Sequence, residues 1–389
     1  MSIADSLANL VSNKDALRDA SRTKNWRVLQ SLLGPAVRGF VTQGGRGTAQ
    51  TTLPVGGDVA FRWNYEQNHT EFLKLYSAAK TSQWDGATQL DWSTPVDLEN
   101  PSTLVPDEWF PLYDIKSFRN QSAKQQADQK RSYMSWVLSQ FLHGEQGALF
   151  AATQVTQAVP WFEGKLYCAT QVVDEARHLE VFHRYLTTKL EKKYDIDENL
   201  YVIIDALMVD SRFDIKFLGM QIMIEGLALG AFGTYRSITR EPLLRELLKY
   251  VITDEARHVH YGVLALREHT QTLSQREREE REDWAFEMAL LMRNRFLLHE
   301  FYDEYYGHMM TRRQWDAWVM ATPIMAYFRK AMFSRIIPNL KKIGLLTPRM
   351  RHYYEEIDLW AFEAGKSAAD LTAADLLRDS SAAPLAAMA

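Results

Sequence analysis

The sequence predicts an almost entirely helical protein: a four-helix bundle with further helices before and after it. Three observations carry that prediction. No segment sustains the two-residue alternation of a half-buried strand, whereas apolar residues recur at three- and four-residue spacing over long stretches. A five-residue string occurs twice, as Asp174-Glu175-Ala176-Arg177-His178 and Asp254-Glu255-Ala256-Arg257-His258, each inside an apolar, helix-like stretch. A glutamate precedes each string at the same distance: Glu145 thirty residues before Glu175, and Glu225 thirty residues before Glu255.

Taken in order, residues 1–38 read as one or two amphipathic helices, and residues 39–60 as a Gly- and Thr-rich loop. The run Gln43-Gly44-Gly45-Arg46-Gly47 follows no strand and fits no phosphate-cradling fingerprint. Residues 62–82 predict a helix with Leu73, Tyr76, Ala79 and Trp84 near one side. Four prolines make 85–117 a connecting stretch, in which Trp84, Trp92 and Trp109 are expected to do no more than pack. The first 116 residues are therefore expected to pack on the bundle as helices and loops.

The bundle is expected over 117–270. A long helix runs to about Val159, polar at first and apolar around Glu145, and Pro160 ends it. A second spans about 161–190, with Cys168, Gln171, Glu175, His178 and Phe182 as its inward stripe. The charged segment Lys189–Asn199 is a crossover. A third helix is predicted over about 200–237, with Gln221, Glu225 and Phe232 near one face. The fourth starts at Glu241-Pro242, since proline suits a first turn, and continues to about His269. Residues 272–284 alternate in charge and read as a solvated helix start. Aromatic-rich helices of the same domain follow to 367, with Pro323 and Pro338 as bends or breaks. An Ala-rich tail, 368–389, completes the chain, its end expected to fray.

The repeated pattern is chemically specific. Residues three apart on a helix are separated by about 300° and roughly 4.5 Å of rise, so Glu175 and His178 share a face, as do Glu255 and His258. Two such helices, with one inward glutamate from each of two others, make the known ligand arrangement of dinuclear carboxylate bundles. Four glutamates balance two divalent ions, whereas without ions their burial would be costly. A lone Glu-x-x-His arises about once by chance in such a chain. Glu66 with His69, and Glu180 with His183, are expected to be such accidents. The duplicated set predicts a metal site of Glu145, Glu175, His178, Glu225, Glu255 and His258.

One residue from each ligand glutamate, Asp174 and Asp254 lie about 100° off the inward face. A metal-bound imidazole passes its other N–H to an oxygen acceptor. Asp174 is therefore expected to accept from His258, and Asp254 from His178, with Arg177 and Arg257 neutralising the two aspartates.

Composition bounds the remainder. The chain has 389 residues, 46% hydrophobic, with a formal net charge of -4 of mixed sign, so nothing argues for nucleic acid or an anionic membrane. The single cysteine, Cys168, excludes an intrachain disulfide, a cysteine-ligated Fe–S cluster and a Cys-zinc site. The apolar stretch Phe217 to Gly233 is interrupted by Gln221 and Glu225 and predicts a buried helix instead of a membrane span. No basic-then-apolar leader opens the chain, and a cytoplasmic setting is expected.

These residues resemble the ferritin-like di-iron carboxylate oxygenase superfamily. The Asp-Glu-x-Arg-His form is similar to that of the hydroxylase subunits of bacterial multicomponent monooxygenases and of R2-like proteins. The resemblance covers about 135–265. It implies that Glu145 and His178 serve one iron, Glu225 and His258 the other, and that Glu175 and Glu255 bridge them. It also implies O₂ as co-substrate, with Fe/Mn open as an alternative to two irons. Three positions depart from particular branches. Leu229 stands where the multicomponent hydroxylases carry threonine, and Phe182 where radical-generating subunits carry tyrosine. Val251 stands where arylamine N-oxygenases add a third histidine, which argues against that branch.

The expected activity is O₂-dependent, hydroxylation-type oxidation of a small hydrophobic or aromatic molecule, with Leu149, Phe182, Ala228, Leu229 and Phe232 beside the metals. A soluble fatty-acyl desaturase and an iron-storage protein use the same ligands. A desaturase needs a long apolar channel, and a storage protein a shell. No flavin, nicotinamide or Fe–S signature appears, so an external reductase or ferredoxin is expected, with a homodimer as the expected assembly.

Overall fold

The computed structural model describes residues 3–19 and 22–379, and among these there is no strand. The N-terminal part forms α1 (Ile3–Ser12), α2 (Lys14–Asp19), α3 (Trp26–Ala36), α4 (Thr70–Thr81) and α5 (Lys116–Arg119). The central part forms α6 (Ala123–Ala158), α7 (Phe162–Tyr185), α8 (Glu198–Val209), α9 (Phe213–Phe217), α10 (Glu225–Ile238) and α11 (Pro242–Thr272). Then come α12 (Gln275–Asn294), α13 (His299–Tyr305), α14 (Arg312–Ala321), α15 (Pro323–Lys342), α16 (Arg351–Glu356) and α17 (Ala373–Asp379).

A ferritin-like bundle of four helical runs sits at the centre: α6, α7, the run from α9 to α10, and α11. Their starts are fixed by local chemistry. Ser122 caps α6 in a reciprocal pair with Gln125. At the start of α11, the Glu241 carboxylate accepts from Leu243 N at 2.8 Å and Leu244 N at 2.6 Å, with Pro242 in the first turn. Between α9 and α10 the chain winds as a π-helix over Leu218–Ile224. The wider turn shifts the angular phase of everything after it, and Glu225 is the next residue.

Several elements differ from the sequence expectation. The helix expected over 62–82 starts only at Thr70, because His69 N is drawn away to Glu163 Oε1 at 2.7 Å. The third helix is broken at Asp210–Arg212. Asp210 Oδ1 accepts from Arg212 N at 2.9 Å, and Arg212 Nη2 pairs with Asp210 Oδ2 at 2.7 Å, a local turn that competes with helix. The charge-dense stretch after 272 is not solvated throughout: Glu280, Arg281, Glu282 and Asp283 are buried. Arg281 Nε donates to Asp214 at 2.8 Å, and Arg349 reaches Glu282 at 2.7 Å and Asp283 at 2.8 Å. Distant segments supply these partners, so the local charge pattern gave no sign of them. Pro323 begins α15, but the helix runs on through Pro338.

The apolar run Phe213–Ile238 is long enough to cross a membrane by length and composition, yet most of it is buried inside the protein. α15 closes over α10 at Gly230, where a Cβ would stand 2.5 Å from Ala331 O. The start of the Ala-rich tail docks on the bundle, with Ala368 and Leu376 buried. The expected fraying beyond 379 lies outside the described residues.

Candidate metal centre

Each bundle run brings its acidic or imidazole side chains inward. Glu145 comes from α6, Glu175 and His178 from α7, Glu225 from the first residue of α10, and Glu255 and His258 from α11; all six are buried. Ligating atoms of Glu145, Glu175, His178 and Glu255 fall within 4.8 Å of one another, and so do those of Glu175, Glu225 and His258. Both imidazoles turn Nδ1 to the middle. His178 Nδ1 lies 3.2 Å from Glu145 Oε2, 3.6 Å from Glu175 Oε2 and 3.3 Å from Glu255 Oε1. His258 Nδ1 lies 3.2 Å from Glu175 Oε1, 3.7 Å from Glu225 Oε1 and 3.4 Å from Glu255 Oε2. Glu175 and Glu255 thus face both histidines. Glu66 and Glu180 are exposed, and neither Glu-x-x-His pair that they begin joins the cluster.

The donor set fits two cations. Glu175 Oε2, Glu225 Oε2, Glu255 Oε2 and His258 Nδ1 are buried without a hydrogen-bond partner. Four such atoms in one buried cluster are a costly arrangement unless ions partner them. Burial first, and neighbouring carboxylates second, hold Glu145 and Glu225 well above the ordinary carboxylate range, although nearby imidazoles oppose this. Burial pulls the imidazoles down, but Glu145 beside His178, and Glu255 with Glu175 beside His258, outweigh it and raise both well above the usual histidine value.

The outward Nε2 atoms cross between the two strings. His178 Nε2 lies 3.1 Å from Asp254 Oδ2, and His258 Nε2 lies 3.2 Å from Asp174 Oδ2. Arg177 and Arg257 each pair with both aspartates, Arg177 reaching Asp254 at 3.2 Å and Arg257 reaching Asp174 at 3.5 Å.

Sequence reasoning missed three members of this layer or their role. Trp84, expected only to pack, donates from Nε1 to Asp254 Oδ2 at 2.8 Å and lies under the Arg177 guanidinium. Gln83 donates to Asp174 at 3.1 Å and accepts from Arg177 at 2.7 Å. Gln171, placed on the inward stripe without a role, donates to Glu225 Oε1 at 2.6 Å and Glu175 Oε1 at 3.2 Å; Gln221 donates to it in turn at 3.2 Å. Only Gln171 carried a signal, being four residues before Glu175 on the same face.

A cavity of about 20 Å³ for a water-sized sphere adjoins Glu145, Glu225 and Glu255, with Phe141, Ala148, Leu227, Ala228 and Phe232 on its apolar walls. Of the five residues expected beside the metals, Ala228 and Phe232 line it; Leu149, Phe182 and Leu229 do not. On both glutamate helices the residue three after the ligand faces the cavity, Ala148 and Ala228, and the residue four after it turns away. Leu229 instead borders a separate cleft against α15. Phe182 is buried behind the wall, its ring 5.8 Å from that of Phe232.

Solved structures with a similar fold include two variants of an R2-like ligand-binding oxidase with an anaerobically reconstituted Mn/Fe cofactor. One is 17% identical, with 69% of this chain and 94% of that chain covered, at a TM-score of 0.43. The other is 18% identical, with 74% and 98% covered, also at 0.43. No curated protein matches this chain in sequence. The family model described as p-aminobenzoate N-oxygenase AurF matches residues 66–344. That match overturns the expectation drawn from Val251. Val251 is wholly buried one turn before Glu255, and the six carboxylate and imidazole groups converge without a seventh donor from that position. With its duplicated strings folded into one buried carboxylate–imidazole cluster able to hold two metals, the chain belongs to the p-aminobenzoate N-oxygenase AurF family and is an oxidoreductase of the di-metal oxygenase type.

Proposed function

We propose that this protein is a cytoplasmic, non-haem di-iron monooxygenase that inserts oxygen from O₂ into a small, largely apolar or aromatic substrate. The observation that carries the reading is the cavity itself: three of the six converging groups open onto it, and apolar side chains supply most of its wall. Glu145, Glu175, His178 and Glu255 would hold one ion, and Glu175, Glu225 and His258 the other. The bound pair supplies the electron chemistry toward O₂.

The chain's own residues do the rest. Asp174 and Asp254 fix which imidazole nitrogen keeps its proton, leaving Nδ1 free to ligate. Gln171 holds Glu225 and Glu175 in register. Phe141, Leu227 and Phe232 keep bulk water from the reacting face.

Electrons would come from a separate reductase or ferredoxin, and a homodimer belongs to the same proposal; light scattering reads the latter. The decisive test loads the protein anaerobically with Fe(II), reduces it, and admits ¹⁸O₂ with a panel of small arylamines and arenes. Oxygen consumption coupled to one labelled atom in the product supports the reading. Reduced, iron-loaded protein that never consumes O₂ rules it out, and metal analysis of protein as purified separates Fe/Fe from Fe/Mn.

A further inference from the structure

Behind the cavity at the metal centre lies a second one, of about 10 Å³ for a water-sized sphere. Its walls include Val137 on α6, Tyr235 on α10, Phe296 just past α12, and Ile324 and Met325 in the first turn of α15. The two cavities occupy consecutive turns of the same walls. On α6, Val137 of the outer cavity stands four residues before Phe141 of the inner one, and Phe141 four before Glu145. On α10, Glu225, Ala228 and Phe232 border the inner cavity, and Tyr235, three residues on, the outer. Arg295 belongs to the inner cavity and Phe296 to the outer. Residues three or four apart share a helix face. Each of these two glutamates therefore begins a stripe, backwards along α6 and forwards along α10, and both stripes lead to the outer cavity.

The partition between the cavities is aromatic. The Phe141 ring meets that of Phe232 edge-on at 4.7 Å and that of Tyr235 at 5.8 Å. Side chains in a packed interior still change rotamer, so such a partition opens without any helix moving. The polar groups lining the outer cavity are spent on one another or on neighbours. The hydroxyls of Tyr133 and Tyr235 pair at 2.7 Å, and burial raises the pKa of both, so both stay neutral. Trp136 Nε1 donates to Glu300 Oε2 at 2.8 Å. A buried water needs two to four polar partners, and the side chains here leave none free; a void of this kind stays dry and takes up apolar guests. Its outer end reaches the surface of the protein. Ile324 and Met325 are 8% and 7% exposed, and they stand between Pro323 and Ala326, which are exposed.

We propose that the two cavities form one conduit for a small apolar gas, running from the start of α15 past Val137 and Phe141 to the metal centre. Under the oxygenase reading, on which this inference rests, that gas is O₂. With its side chains in place the outer cavity is too small for an aromatic ring, so the organic substrate reaches the metals by another way.

Crystals of metal-loaded protein pressurised with krypton, an apolar atom close to O₂ in size, test the conduit directly. Krypton is expected between Val137 and Phe296, and Val137→Phe, which fills that space, should exclude it. In stopped flow, the same variant should lower the second-order rate at which O₂ oxidises reduced, iron-loaded protein about tenfold, since a filled void leaves no passage. Metal content should not change, and neither should oxidation by ferricyanide, which is too large and too charged to enter. Wild-type crystals without krypton at this site, Val137→Phe that reacts with O₂ at the wild-type rate, or equal slowing with both oxidants overturns the conduit and leaves the oxygenase standing. Should Val137→Phe not fold, Val137→Ala, which widens the cavity, decides. More krypton with oxidation at least as fast as in wild-type protein supports the conduit, and slower oxidation by O₂ overturns it. Wild-type protein that takes up krypton but never consumes O₂ removes the oxygenase, and with it this use of the cavities.

Discussion

His178 Nε2 lies 3.1 Å from Asp254 Oδ2, an oxygen that belongs to the other copy of the repeated string. The same oxygen accepts from Trp84 Nε1 at 2.8 Å and from Arg177 at 3.2 Å, so one atom ties an imidazole, an indole and a guanidinium together. Its pKa is held far below the ordinary aspartate range; burial opposes this, but the His178 hydrogen bond and charge, with Arg257 and Trp84, outweigh it. Asp254→Ala is therefore expected to lower metal affinity about 10- to 100-fold, and to destabilise the fold by about 3–5 kcal/mol because Arg177 and Arg257 lose a buried partner. Metal titration and thermal melting check this, and unchanged values in both would remove Asp254 from the metal site's support.

Metal loading should be visible as proton release. In cation-free protein Glu145, Glu225, His178 and His258 all hold protons more strongly than usual. Ligation requires the bare oxygens and a bare Nδ1, so anaerobic addition of Fe(II) or Mn(II) at pH 7 should expel up to about four protons per two ions. Since ions and protons compete for the same atoms, apparent metal affinity should rise as pH rises through the raised values. Calorimetry in buffers of different ionisation enthalpy measures the count. An affinity independent of pH would contradict the proton-sharing cluster.

Gly230 marks where α15 seals the bundle. A Cβ there would stand 2.5 Å from Ala331 O and 2.7 Å from Met332 Cα, both backbone atoms that cannot rotate aside. Gly230→Ala should force the helices apart and cost about 1–3 kcal/mol. A Cβ at Gly144 would meet only Arg295 Nη2, at an ordinary contact distance of 4.0 Å, so Gly144→Ala should be neutral or stabilising by up to about 1 kcal/mol from helix propensity. Paired thermal melts compare the two, and equal melting temperatures would show that the α10–α15 contact yields without cost.

Much of the helical plan was legible because helix formation is local. The long α6 and α7 followed from apolar spacing and from Pro160, and α11 from Glu241-Pro242. The break at Asp210 was missed because a side chain satisfying the backbone two residues on leaves no mark on hydrophobic periodicity. The π-helix before Glu225 was missed for a related reason: one extra residue per turn is a small phase error inside a uniformly apolar run. The burial of Glu280 to Asp283 escaped notice because their partners lie far off along the chain.

By itself, the sequence determined which six side chains meet and how the two aspartates cross, because three-residue helical spacing and an eighty-residue duplication impose that geometry wherever the helices face one another. Only the tertiary structure decided what surrounds them. Trp84 reaches Asp254 across 170 residues, and Arg295 comes to rest beside Gly144 from a helix outside the bundle. Such contacts are set by how whole helices pack, a property of the assembled core that no short stretch of residues encodes.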